Sequence, residues 1–179
     1  MPTLDGQPKM EPVAGLEGFQ CHTCGKWHEG LPLVYAYDAP FYWSEGLRSD
    51  TDSFLNSDFC VIKKKDFFIW CLIEDPVIGH DEPFRWGVWT SLNKSNFDKM
   101  VNLWHDPRLL DETPYFGWLS NSIDLYPETL SLKANVHSKT LGQRPHLLLE
   151  PTDHPLAIEQ RSGITMLRVR EIAERSLHR

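Results

Sequence analysis

A chain of 179 residues with a formal net charge of −7 has the size of one domain. Its one dense basic run, Lys63-Lys64-Lys65, is not the basic stripe that releases counterions from phosphates, which argues against nucleic acid as a partner. An acidic surface favours solubility and a basic protein partner. No run approaches the ~20 apolar residues that span a bilayer, and the first twenty residues lack a signal-peptide core. The expected compartment is therefore the cytoplasm, with no membrane partner. Thiols stay reduced there, so the four cysteines point to metal ligation or burial and not to disulfides.

Residues 1–18, rich in Pro, Gly and polar side chains, read as a tail, and residues 19–179 as one domain. Residues 31–43 are aromatic and broken by Pro32 and Pro40, which suggests an irregular packed segment. Residues 44–57 read as a surface loop. Asp58 to Lys63 and Phe67 to Asp75 form a predicted hairpin turning at the lysines, and Phe84 to Leu92 a third strand. Ser95 is the expected cap of a short helix with Phe97, Met100, Val101 and Trp104 on its apolar face. A short strand is expected over Phe116 to Leu119. Strict alternation marks Thr129 to His137 as a strand with Leu130, Leu132, Ala134 and Val136 inward. His146 to Glu150 is its expected partner. Two helices close the chain. Asp153 is the expected cap of the first, with Pro155 in its opening turn and Gly163 past its end. The second spans about Ile164 to Leu177, with Val169, Ile172, Ala173 and Ser176 inward and Glu171 paired to Arg175. Strands together and helices late predict an α+β fold: an antiparallel sheet with helices on one side and an N-terminal zinc knuckle.

The strongest chemical signal is Cys21-His22-Thr23-Cys24-Gly25-Lys26-Trp27-His28. Two thiolates two residues apart can grip one ion from a tight turn, Gly25 lets the backbone curl, and His28 is near enough to be a third ligand. Thiolate with imidazole selects Zn(2+) over magnesium or calcium. A structural site needs a fourth protein ligand. Cys60 is the expected one; Cys71 across the hairpin, His22, or a water are the alternatives. The βαβ setting of a redox CxxC is missing.

Weaker constellations remain. His80-Asp81-Glu82 contains the H-x-E of zinc deaminases, but follows the cysteine pair and reads as a polar turn. Glu150, Asp153 and His154 could serve acid–base chemistry, though a helix start explains them. Lys133 and Arg144 could meet on the wet face of the 129–137 strand and hold an anion. Trp86-Gly87-Val88-Trp89 and Tyr115-Phe116-Gly117-Trp118 set glycines beside large rings, where another group can approach the backbone closely. Trp86 and Trp89 fall on opposite faces of a strand, so one of them is expected to meet a helix, a loop or a partner. No G-x-S-x-G, P-loop, Rossmann glycine pattern or HExxH occurs.

Together these stretches resemble a bacterial family, domain of unknown function 2199. The resemblance rests on Cys21-x-x-Cys24-Gly25-x-x-His28, Leu31-Pro32, Asp38-Ala39-Pro40, Asp58-x-Cys60, Phe67-Phe68-Ile69 and Trp86-Gly87-Val88-Trp89-x-Ser91-Leu92. Phe116-Gly117-Trp118-Leu119-Ser120-Asn121, Arg144-Pro145 and Leu149 through Ala157 complete it. It implies that Cys21, Cys24, His28 and Cys60 are a shared group. The chain departs at Trp70-Cys71, where the family pattern resembles Arg-Gly, and at Asp75, where an apolar residue is expected. Three functions compete: a zinc-stabilised, immunity-like accessory module that binds a protein; an enzyme with a site around Lys133, Arg144, Glu150, Asp153 and His154; and a zinc- or redox-responsive regulator.

Overall fold

The computed structural model describes residues 7–12 and 18–178. In chain order the strands are β1 (Lys9–Pro12), β2 (Phe19–Gln20), β3 (Trp27–His28), β4 (Pro32–Ala36), β5 (Phe54–Leu55), β6 (Phe59–Ile62), β7 (Asp66–Asp75), β8 (Phe84–Leu92), β9 (Tyr115–Leu119), β10 (Lys133–His137) and β11 (His146–Leu149). The helices are α1 (Lys94–Asn102), α2 (Leu109–Glu112), α3 (Pro155–Ser162) and α4 (Met166–Leu177).

β7 and β8 organise everything else. Both are mostly apolar and buried on consecutive residues, the pattern of strands covered on both faces. They pair antiparallel from Phe67↔Leu92 to Asp75↔Phe84, and each is long enough to hold two further partners. β8 takes β4 in parallel along Arg85–Gly87 and β9 antiparallel at Thr90 and Ser91. β7 takes β6 along Phe67–Ile69 and β11 in parallel at Leu72. The circuit β7-β8-β9-β10-β11 thereby closes on itself as a five-stranded barrel, with β1, β4, β6 and β5 as extensions.

This replaces the expected α+β architecture. The chain is mostly β, its sheet is mixed, and the helices are small. The reason is geometric: odd residues of β7 and even residues of β8 fill the barrel with Ile69, Cys71, Ile73, Trp86 and Val88, all buried. The opposite faces of the same strands are covered as well, by the 37–43 segment and neighbouring loops. Trp70 and Trp89, paired on that second face, both donate their indole N–H to the Tyr37 carbonyl, at 3.1 and 3.0 Å. Asn121 accepts the Trp89 amide at 2.7 Å and donates to the Ala39 carbonyl at 2.9 Å. Trp86 lies in the barrel interior against Tyr35 and Phe84. Trp86 and Trp89 therefore divide between two buried layers, and it is Trp89 that meets a loop, the 37–43 segment, as expected of one of them.

Gly87 and Gly117 bear out the close-approach reading. A Cβ on Gly87 would stand 2.1 Å from the Trp70 ring, and one on Gly117 2.4 Å from the Ser91 carbonyl oxygen. Gly87→Ala is expected to destabilise by about 1–3 kcal/mol through overpacking, lowering the melting temperature by roughly 3–9 °C. An unchanged melting curve would show that Trp70 can move aside.

Several local expectations need correction. Lys9–Pro12, placed in the tail, pairs with β4 as an edge strand; residues 1–6 and 13–17 lie outside the described residues. The 31–43 segment contains the regular strand β4, which pairs only with residues distant in sequence. Asn93, not Ser95, caps α1 by accepting the Asn96 amide at 2.9 Å, and Val101 faces solvent. The strand expected from Thr129 begins only at Lys133, after Ser131 takes a left-handed φ of 65°. His154, not Asp153, caps α3, its Nδ1 accepting the Leu156 amide at 3.2 Å. Glu171 meets Arg168 at 3.4 Å; that is the pairing found in place of Arg175. The β6–β7 hairpin, β8, and the pairing of β10 with β11 stand as expected.

Candidate metal centre

β2 and β3 pair through Phe19↔His28 and Gln20↔Trp27 as a small separate ribbon. Its turn is closed by Cys21 N–H to the Lys26 carbonyl and Gly25 N–H to the Cys21 carbonyl, both at 2.9 Å. Gly25 holds φ +69°, a conformation that costs glycine little. Cys21 and Cys24 are brought together from the turn and His28 from the returning strand. The fourth member comes from the other end of the chain: His178, the C-cap residue of α4.

The ligand atoms of Cys21, Cys24, His28 and His178 all lie within 4.8 Å of one another. Cys21 Sγ is 3.0 Å from His178 Nε2, and Cys24 Sγ is 3.4 Å from His28 Nε2. Two sulfurs and two imidazole nitrogens gathered this closely could hold a metal ion. Desolvation opposes ionisation of Cys21. The backbone amides of Cys24 and Thr23, with His178, outweigh it and bring the thiol down to about 6. His22 points away from the group: its amide and Nδ1 both meet Glu174 of α4, at 3.0 and 2.9 Å. That contact holds Glu174 below the usual carboxylate range, through the His22 backbone amide first. It is a second tie between the turn and α4.

Cys60 is not brought to this group. It lies buried on β6 opposite Phe68, and burial pushes its thiol up to about 12. Cys71 faces the barrel interior opposite Val88, away from Cys60, because β7 residues of opposite parity point to opposite faces. His178 is the member that sequence reading missed. It stands 150 residues beyond His28 with no spacing motif, and only the docking of α4 brings it near.

Of the residues of the alternative enzyme site, Lys133 and Glu150 are brought together through a backbone hydrogen bond. Lys133 sits with Nζ 5.9 Å over the Trp118 ring. Arg144 lies over Trp70, Cζ 4.0 Å from the ring centre, and donates to Asp58 at 3.1 Å. Glu150 donates its amide to the Lys133 carbonyl at 2.8 Å, Asp153 is exposed, and His154 caps α3. His80 accepts the Glu82 amide at 3.1 Å, as a polar turn does. No helix among the described residues is long and apolar enough to cross a membrane.

A second feature is an open groove of about 710 Å³ on the outside of the barrel. Tyr42, Phe116 and Trp118 are among its lining residues. All three are exposed, at 51%, 42% and 40%. Phe116 and Trp118 meet edge to face with centroids 5.1 Å apart, and Tyr42 stacks on Phe68. Lys65, Asp66, Asn93 and Ser131 supply polar groups along the groove.

The class defined by this fold and site is a mostly-β barrel protein with a Cys/His group able to hold a metal ion. The chain belongs to the family described as an uncharacterized protein conserved in bacteria, domain of unknown function 2199, whose model matches residues 20–164. No curated protein and no solved structure matches it. Three of the four possible ligands fall inside the matched span, and His178 falls beyond it.

Proposed function

We propose that the protein is a binding module for another protein, with a structural Zn(2+) ion fastening its two chain ends together. The observation that carries the binding role is the aromatic groove. Soluble proteins seldom expose several large rings around one concavity unless the surface is used, and Tyr and Trp dominate the energetics of interfaces. The net charge of −7 favours a basic partner and speeds encounter with it. The zinc reading rests on the donor set: thiolates with imidazoles select zinc, and four protein ligands leave no open position for chemistry.

His154, with Nδ1 taken by the Leu156 amide and Nε2 buried, favours this reading over an enzyme placed around Lys133, Arg144, Glu150, Asp153 and His154. The test is interaction capture from a bacterial lysate with purified protein as bait, comparing wild type with Tyr42→Ala and Trp118→Ala. Each substitution is expected to weaken a specific complex by about 2 kcal/mol or more, roughly 30-fold. Phe54→Ala, an exposed ring outside the groove, is expected to leave it intact. A specific complex indifferent to both groove substitutions would overturn the assignment of this face.

A further inference from the structure

Beside the β10–β11 connection lies a polar groove that neither the metal group nor the aromatic groove uses. Two adjoining cavities of about 500 and 370 Å³ share Leu72, Glu74 and His146, and none of their lining residues lines the aromatic groove. Strand alternation and register assemble the floor. Leu72 and Glu74 point outward from β7, Arg85 pairs directly opposite Glu74, and His146 lies beside Leu72 across the parallel β11–β7 contact.

The hydrogen bonding on this floor is lopsided. Glu74 Oε1 accepts from Arg85 Nε at 2.9 Å and its Oε2 meets His146 Nδ1 at 2.8 Å. Asp58 Oδ1 accepts from Arg144 Nε at 3.1 Å, and its Oδ2 accepts the Ser57 hydroxyl at 2.5 Å. Both carboxylates thus have each oxygen engaged. Each guanidinium carries five N–H donors. Among the described residues, Arg85 makes one further bond, to Glu82 at 3.3 Å, and Arg144 one, to the Ser57 carbonyl at 3.5 Å. Three N–H donors remain on each guanidinium, while every oxygen of the two carboxylates already takes one bond. Arg144 is also held in place, its Cζ 4.0 Å over the Trp70 ring centre, so less side-chain entropy is lost when its remaining N–H groups engage a ligand.

His146 completes the arrangement. With Nδ1 turned to Glu74, Nε2 is the ring atom left to hydrogen-bond a bound group. Burial holds this imidazole below its ordinary range, although Glu74 pulls the other way. Leu72 and Trp104 add an apolar wall to the larger cavity, which exceeds what a bare inorganic anion would fill.

We infer that this groove binds a small organic oxyanion, a phosphate monoester or a carboxylate, with Arg144 and Arg85 on the charged group, His146 Nε2 taking up a proton from solvent on binding and donating it to the anion as a hydrogen bond, and the organic part against Leu72 and Trp104. The site is independent of the aromatic groove and of the metal group.

The test is a nuclear magnetic resonance titration of the full-length protein with phenyl phosphate and, separately, benzoate, at chloride-matched ionic strength. Saturable shifts of the His146 ring nitrogens and the Trp104 indole are expected, with a dissociation constant of about 1 mM or below. Saturation by phenyl phosphate alone identifies a phosphate site, and by benzoate alone a carboxylate site. Arg144→Lys keeps the charge and loses the fork, so it is expected to weaken binding about tenfold. His146→Gln, which does not touch the Arg144–Trp70 contact, is expected to do the same and decides the matter if Arg144→Lys fails to fold. Unsaturable shifts equal to those from chloride would overturn the inference, as would affinities unchanged in folded His146→Gln.

Discussion

His178→Ala is expected to strip zinc from the protein and loosen both ends of the chain. Wild type should carry about one equivalent per chain; Cys21→Ser and Cys24→Ser should lose it as His178→Ala does, and Cys60→Ser should not. The size of the effect follows from what the ion would join. Cys21 and His178 lie 157 positions apart, so a bond through one ion closes almost the whole chain into a loop. Cross-links of that span restrict the unfolded chain by roughly 4–5 kcal/mol when they stabilise mainly through entropy. Chelation, or any of the three substitutions, is then expected to lower the melting temperature by roughly 10–15 °C. Local opening should concentrate in the β2–β3 ribbon and α4, which would show as faster amide exchange there than in the barrel. A well-folded protein with no bound metal and an unchanged melting temperature would sink both the zinc assignment and the fastening role. Zinc retained in His178→Ala would mean that the fourth position belongs to another group.

Asp75→Val is expected to stabilise the protein at neutral pH, and to do so less in acid. Asp75 is fully buried at the end of β7, and neither carboxylate oxygen has a hydrogen-bond partner among the described residues. Burial raises its pKa well above the ordinary carboxylate range; Glu159 adds to the rise and Arg168 only partly offsets it. The nearby polar groups are already committed. Glu159 accepts from Tyr126 at 2.5 Å and from Arg168 at 2.8 Å. The folded state therefore holds a proton that the unfolded chain gives up once pH exceeds about 4. The stability tied to that proton is full below the unfolded pKa and is lost as pH rises through the folded one. Removing an unsatisfied buried carboxyl is worth about 1–3 kcal/mol, and Val suits a covered strand. Wild type should lose stability between about pH 4 and neutrality, and the variant should show a flatter profile. A variant less stable than wild type at pH 7 would mean that Asp75 has a partner the present bonding does not reveal.

Features that were legible in the sequence depend on neighbours in the chain. Alternation and turn residues marked the β6–β7 hairpin, β8, and the pairing of β10 with β11, because antiparallel neighbours joined by short connections carry their own register. The cysteine pair with Gly25 and His28 was legible for the same reason, since a CxxC turn is a local object whose ligand spacing sits within eight residues. Glycines beside large rings also signalled close approach correctly at Gly87 and Gly117, where steric contact leaves a compositional trace.

Tertiary structure alone decided the remainder. Barrel closure requires β11 to lie parallel to β7, and the extension of the sheet requires β4 parallel to β8; both contacts join segments that no hairpin links, so local periodicity carries no record of them. The same limit applies to His178, whose approach to Cys21 depends on where α4 docks, and to the Glu74–Arg85–His146 floor, gathered from three strands. Cys60 and Cys71 were candidates by residue type, but the parity of β7 turns Cys71 into the barrel and the pairing of β6 buries Cys60 opposite Phe68. Residue chemistry and spacing along the chain determined which groups could bind a metal; the path of the chain in space determined which of them meet.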